Sequence, residues 1–189
     1  MPTENEFKYV LCPDADEEVF RSATDSFIEI EQAYLVHHGN TTVRIRKSDR
    51  PSWASSQYEL CLKEKTNRVI EIETEIDERD FQDLWELSTN KLKKTRYDLG
   101  DGWIVDFFKD GGNVYFAMAE CEVEENIVTP PDPIDAISDK MIYSGISGAD
   151  SRFSSRKLSC PVYAKKVLQD IENVKKYLTQ ASQQTKMAP

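Results

Sequence analysis

Glu4-Asn5-Glu6-Phe7-Lys8-Tyr9-Val10-Leu11, near the start of the chain, is the stretch on which the fold turns. Charged and uncharged residues alternate through its first half, and side chains in a β-strand return to the same face every second residue. Glu4, Glu6 and Lys8 therefore share one face, with Asn5, Phe7 and Tyr9 on the other. Two carboxylates about 4 Å apart repel by about 1 kcal/mol in water and by several-fold more at protein-like permittivity. Such a pair is stable in solvent, or where a cation neutralises it. Taken alone, the segment fits a solvated sheet edge or a cation site.

The same alternation recurs along the chain. Strands are expected at 4–11, 27–36, 41–47, 57–65 and 68–76, with a hairpin turn at Gly39-Asn40 and another at Thr66-Asn67. Asp77 can cap an amphipathic helix that carries Phe81, Leu84 and Trp85 at helical spacing. Three further strands, 91–99, 103–109 and 113–124, are separated by Gly100-Asp101-Gly102 and Gly111-Gly112. The acidic segment 13–23 reads as a short helix, and 134–160 as irregular chain rich in Ser and Gly. Pro161 suits the first turn of a last helix, whose apolar stripe is Val167, Ile171, Val174 and Leu178. Residues 1–178 are thus expected to form one domain, with 179–189 a flexible tail.

Composition narrows the function. The 189 residues carry a net charge of −10, which argues against duplex nucleic acid as a partner. No apolar run reaches the roughly 20 residues of a membrane span, and no signal-peptide core opens the chain, so a cytoplasmic protein with no membrane partner is expected. Cys12, Cys61, Cys121 and Cys160 lack zinc-ribbon spacing. His37 and His38 are adjacent, so on a strand they face opposite ways and do not make a metal pair.

The charges sort by strand. Carboxylates recur with period two at Glu4 and Glu6, at Glu71, Glu73 and Glu75, and at Glu120, Glu122 and Glu124, with Asp106 alone on its strand. Cations stand at Lys8, Arg44 and Arg46, Lys63, and Lys94 and Arg96. Eight strands can close into a barrel whose interior holds side chains or one small ligand. With these charges inside, the carboxylates would take a hard cation such as Mg²⁺ or Mn²⁺, and the Arg and Lys an elongated polyanion. A polyphosphate with its metal is the economical occupant. On the residues alone, a sheet with a wet charged face stays open as the other reading.

The residues also resemble a known family. Glu4-x-Glu6-x-Lys8 is similar to the signature of the CYTH superfamily, the triphosphate tunnel metalloenzymes. The similarity continues in order through Ile30-Glu31-Gln32-Ala33-Tyr34-Leu35, Thr42-Val43-Arg44-Ile45-Arg46, Leu62-Lys63 and Glu71-x-Glu73-x-Glu75-Ile76. It ends with Lys94-Thr95-Arg96-Tyr97, Trp103-x-x-Asp106-x-Phe108 and Ala119-Glu120-x-Glu122. The resemblance implies an α+β chain built on an eight-stranded antiparallel β-barrel, the triphosphate tunnel, with flanking helices. It implies a triphosphate-containing small molecule as the partner, Mg²⁺ or Mn²⁺ as cofactor, and a monomer or homodimer.

By that resemblance Lys8, Arg44, Arg46, Lys63, Lys94, Arg96 and Arg152 are assigned to phosphate oxygens. Glu4, Glu6, Glu120 and Glu122, with Asp106 on the same face, are assigned to metal. Glu71 and Glu73 would hold a second ion or orient the attacking water, with Lys63 beside them. The implied activity is a metal-dependent triphosphatase; a class IV adenylate cyclase and a non-catalytic polyphosphate- or nucleotide-binding protein are the alternatives. Three positions depart from the family pattern: Ile104 where many relatives carry Glu, Cys61 where Thr is common, and Gly148–Ser155, which keeps Arg152 but has Ser155 for Asn. Phe108, Phe116 and Met118 share the parity of Asp106 and Glu120, and filling a core is their expected role.

Overall fold

The computed structural model describes residues 5–12, 15–66 and 69–187 of the chain. Nine strands form one sheet: β1 (Asn5–Leu11), β2 (Phe27–His38), β3 (Thr41–Asp49), β4 (Gln57–Lys65), β5 (Val69–Glu75), β6 (Asn90–Gly100), β7 (Trp103–Asp110), β8 (Asn113–Val123) and β9 (Met141–Ser147). Their order is β5-β4-β3-β2-β6-β7-β8-β1-β9, and every neighbouring pair is antiparallel. The helices are α1 (Glu17–Ala23), α2 (Glu78–Leu87), α3 (Asp135–Ser138), α4 (Ser155–Leu158) and α5 (Pro161–Met187).

Two expectations are corrected here. The sheet is curled but open, and it has nine strands where a closed eight-stranded barrel was expected. Closing eight strands would need β1 to pair with β5. Instead β9, drawn from the segment read as irregular, takes that free edge of β1, with Phe7 opposite Ser147 and Lys8 opposite Ile146. No ladder joins β5 to β9 among the described residues. The last helix, α5, spans Pro161–Met187.

Local signals account for the elements that were read correctly. Asp77 caps α2 by accepting from the Asp80 amide at 2.7 Å, and Glu78 and Asp80 place negative charge in its first turn. At the β7 end of the β6–β7 turn, Gly102 has φ 80°, and a Cβ there would lie 2.7 Å from the Glu122 carbonyl oxygen. Only glycine fits both conditions.

The apolar core lies mainly on one face of the sheet. Phe7, Tyr9, Leu11, Tyr97, Val105, Phe107 and Ala119 pack there with Phe20 of α1 and Ile137 of α3. Further along, Ala33 and Ile45 pack with Phe81 of α2, whose ring lies 5.3 Å from Tyr58 and 5.6 Å from Trp85. Each large side chain buried this way contributes about 1.5–3 kcal/mol. The opposite face is free to carry charge. Part of it is nevertheless filled by Phe108, Phe116 and Met118 packing with Leu158, Ala164 and Leu168, so these three do fill a core as expected. No helix among the described residues is long and apolar enough to cross a membrane.

Candidate metal and polyanion site

The register puts the charged residues on one face, because cross-strand partners point the same way. Glu6 stands opposite Glu122 and Lys8 opposite Glu120 on β1 and β8. Arg96 faces Asp106, Lys63 faces Glu71, Arg46 faces Gln32, and Cys61 lies between Arg44 and Glu73.

One cluster spans β6, β7, β8 and β1. Asp106 is at its centre, 1% exposed. Its Oδ1 accepts from Arg96 Nε at 2.8 Å, and its Oδ2 accepts from Arg96 Nη2 at 2.7 Å and Lys94 Nζ at 2.5 Å. Arg96 Nη2 also reaches Glu120 Oε2 at 3.4 Å. Lys8 Nζ donates to Glu120 Oε1 at 2.7 Å and pairs with Glu6 Oε1 at 3.2 Å. An unbroken chain of ion pairs thus runs Lys94–Asp106–Arg96–Glu120–Lys8–Glu6.

The protonation states follow from this order. Burial works to raise the Asp106 carboxyl, but Arg96 and Lys94 outweigh it and hold the group well below the usual carboxylate range. Two cations share that one carboxylate, and Lys94 is the one that gives: burial first, then Arg96, push it down to about 8. Burial lowers Lys8, but Glu120 and Glu6 more than reverse this and raise it. Glu6 is raised by burial and then by Glu120, against the pull of Lys8.

A second cluster lies toward the β5 edge. Glu71 accepts from Lys63 Nζ at 2.8 Å, from Arg44 Nη2 at 3.3 Å and from Cys61 Sγ at 3.4 Å. Glu73 accepts from the same Arg44 nitrogen at 3.3 Å. Burial pushes the Cys61 thiol up to about 11, so it stays protonated and donates to Glu71. Burial would raise Glu71, but its bonds from Lys63 and Cys61 and the charge of Arg44 lower it.

Between the clusters Arg46 stands opposite Gln32 on β2 and Glu59 on β4. Arg46 Nε donates to Gln32 Oε1 at 3.1 Å, and Gln32 Nε2 donates to the Tyr34 hydroxyl at 2.7 Å. Arg46 makes no ion pair among the described residues. Burial lowers its pKa, and Arg44 and Arg96 lower it further by repulsion. Arg44 Nε is buried with no hydrogen-bond partner. A polyanion would supply what both guanidinium groups lack.

The donor chemistry also fits a hard divalent cation. Glu6, Glu120 and Glu122 stand on one face of two adjacent strands, and Glu6 titrates high because it is buried and Glu120 repels it. Among the described residues, Cys61, Glu71 and Glu73 are the group whose ligand atoms lie within 4.8 Å of one another. Its thiol is protonated and its carboxylates are engaged by Lys63 and Arg44, which suits Mg²⁺ less well.

No protein-family profile matches the chain, and no curated protein matches it. Solved structures do resemble it. The PH1819 protein of Pyrococcus horikoshii OT3 is 23% identical with a TM-score of 0.41, over 66% of this chain and 80% of that one. A conserved hypothetical protein of Pyrococcus furiosus is 19% identical with a TM-score of 0.43, over 72% and 85%. HpAC1 of Hippeastrum, described as having a dominant triphosphatase activity, is 19% identical with a TM-score of 0.42, over 64% and 80%.

Of the residues singled out in the sequence, Lys8, Glu6, Glu120, Asp106, Arg96 and Lys94 meet in the first cluster, and Arg44, Lys63, Glu71 and Glu73 in the second. Glu122 is exposed beside Glu6, and Glu75 and Glu124 are exposed. Glu4 lies outside the described residues. Arg152 is not joined to either cluster; its side chain is 63% exposed and pairs with Asp150 at 2.6 Å. Ile104 faces Glu120 across β7 and β8, so an apolar side chain stands opposite that carboxylate.

Gln32 and Tyr34 were not assigned roles from the sequence. Their signal was parity, since both share the face of Arg46 and Arg44, their partners on β3. Burial pushes the Tyr34 hydroxyl up to about 12, even with Arg44 and Arg46 nearby to lower it. Gly148 was noted only as part of an altered motif. Its amide donates to the Glu6 carbonyl at 2.8 Å, and a Cβ on it would lie 2.1 Å from Glu6 Cγ. The segment after β9 is pressed against a candidate metal ligand.

Proposed function

We propose that this protein is a divalent-metal-dependent hydrolase acting on inorganic triphosphate or another triphosphate-bearing small molecule. The observation that carries the reading is Arg46, without an ion-pair partner among the described residues, beside Arg44 with its partnerless buried Nε. Both stand on the same sheet face as the Glu6, Glu120 and Glu122 carboxylates. Hydrolysis of a phosphoanhydride needs that combination, because charge spread over the transferring group must be neutralised.

In this scheme Arg44, Arg46, Lys63 and Arg96 take phosphate oxygens, and Lys8 bridges the polyanion to the carboxylate group. Glu6, Glu120 and Glu122, with Glu4, hold Mg²⁺ or Mn²⁺. The ion when bound neutralises phosphoryl charge and acidifies water. The incoming anion draws Arg44 away from Glu71 and Glu73, which frees Glu73 and leaves Glu71, still held by Lys63 and Cys61, with room to accept a hydrogen bond from water. The lowered pKa of Glu71 suits it to orienting that water better than to keeping its proton. A binding protein that does not turn its ligand over is the second reading, favoured by Ile104 opposite Glu120.

The test separates products. The protein is incubated with inorganic triphosphate, and separately with ATP, in Mg²⁺ or Mn²⁺, and orthophosphate, pyrophosphate and cyclic AMP are resolved. Orthophosphate from inorganic triphosphate is expected, abolished by excess EDTA, with ATP the poorer substrate. Pyrophosphate and cyclic AMP as main products would make the protein a cyclase. Tight binding without any product would support the second reading.

A further inference from the structure

The face that carries the candidate site contains one carboxylate that cannot act as its sequence neighbours can. Asp106 has the parity of the metal-binding carboxylates, yet it is 1% exposed and both its oxygens are taken. Arg96 grips it with two parallel hydrogen bonds, and Lys94, with its side chain 2% exposed, adds a third. A metal ion would have to strip three charged hydrogen bonds from a buried group. Glu6 and Glu122 are reached without that cost, since the Glu6 side chain is 30% exposed and Glu122 is exposed.

The grip has a second consequence. An arginine held through Nε and one terminal nitrogen has its guanidinium plane fixed, and little rotamer freedom remains to be lost on binding. Nη2 of Arg96 turns on toward Glu120 at 3.4 Å, while Nη1 makes no hydrogen bond to the described residues and is not buried without a partner. The side chain is 25% exposed, so its free edge is the part a ligand can meet.

We propose that Asp106 is a positioning residue: acting through Arg96, it sets the guanidinium edge against the polyanion, and it holds no metal ion. Lys94 is its buried partner and acts at one remove from the ligand. The proposal rests on the polyanion reading of this face, and it separates Asp106, held by three short charged hydrogen bonds, from Glu120, held by one at 2.7 Å and one at 3.4 Å, and from the more open Glu6 and Glu122.

The test measures metal binding and anion binding in the same proteins. Mn²⁺ affinity is taken by calorimetry or electron paramagnetic resonance, and tripolyphosphate affinity by calorimetry, for wild type, Asp106→Asn, Arg96→Lys, their double variant and Glu120→Gln. Asp106→Asn should weaken tripolyphosphate by roughly 10- to 100-fold, as expected for lost charged hydrogen bonds, and leave Mn²⁺ affinity within about twofold. Glu120→Gln should lose Mn²⁺ by tenfold or more. The double variant should be no worse than Arg96→Lys, because the two residues act as one unit. Equal loss of Mn²⁺ in Asp106→Asn and Glu120→Gln would make Asp106 a ligand and overturn the proposal.

Two controls keep the outcome readable. If Asp106→Asn does not fold, the measurements are made on Asp106→Asn with Lys94→Met, which removes the cation left unpaired; failure of that protein to fold would assign Asp106 to stability alone and also overturn the proposal. Wild-type protein that binds no tripolyphosphate would end the polyanion reading. The positioning claim is then read from the ¹⁵N signal of Arg96 Nε, assigned by Arg96→Lys. Slow guanidinium rotation in wild type and fast rotation in Asp106→Asn supports it, and equal rotation in both overturns it.

Discussion

Glu6 shows at the scale of one residue how the site trades stability for charge. Burial and the neighbouring Glu120 raise its pKa, while Lys8, 3.2 Å away, offsets part of this. A carboxyl raised in the folded state holds its proton to higher pH than in the unfolded chain. Its contribution is therefore least favourable at neutral pH and is relieved as pH falls through the folded value. Glu6→Gln mimics the protonated form. It should raise stability at pH 7 by under about 1 kcal/mol, since the group is part-solvated, and the gain should vanish near pH 4. Urea melts at the two pH values check the sign, and metal-dependent turnover in the same variant should fall. A variant less stable than wild type at pH 7 would mean that the Lys8 pair outweighs the repulsion. The sequence placed Glu6, Glu120 and Asp106 on one face because period two is visible in residue types. It did not show depth: that Asp106 is sealed and Glu122 open depends on which side chains cover each strand, which alternation leaves unspecified.

Among the elements, β3 gives the sharpest test. Arg46 points to Gln32 on the charged face, while Lys47, the next residue, pairs with Asp49 at 3.1 Å. A one-residue step in a strand changes face completely. Arg46→Glu should therefore abolish measurable tripolyphosphate binding, a loss of at least about 100-fold, whereas Lys47→Glu should change it by less than about threefold. Equal losses would mean that the basic residues act as a diffuse patch. The eight alternating strands were legible because each carries charges or apolar residues at every second position. β9 was not, and its composition explains why. Met141–Ser147 holds two serines and Gly145 at φ 69°, and its pairing with β1 shifts register twice. An irregular edge strand has no clean periodicity to read. The start of α5 was legible from Pro161.

Across the whole molecule, closure was the property least accessible from sequence, because it depends on which two edges meet. Alternation in β1 and β5 is the same whether they pair or stay apart, and here β9 takes the edge of β1 that closure would use. The sheet still gathers cations from β1, β3, β4 and β6 on one face, in a chain whose net charge is −10. An anion bound there should join strands from both halves of the sheet and stabilise the fold as a unit. A ligand at 100 times its dissociation constant adds about 2.7 kcal/mol to unfolding. In a chain of this size each kcal/mol moves the thermal midpoint by about 2–4 °C. Saturating tripolyphosphate with Mn²⁺ should thus raise the midpoint of wild type by roughly 5–10 °C. The shift should be absent in Arg46→Glu, and it should shrink in about 1 M salt, where the screening length falls to about 3 Å. A full shift in Arg46→Glu would place the anion away from β3. An unmoved wild-type midpoint at saturating ligand would remove the polyanion site altogether, because a ligand that binds only the folded state must raise it.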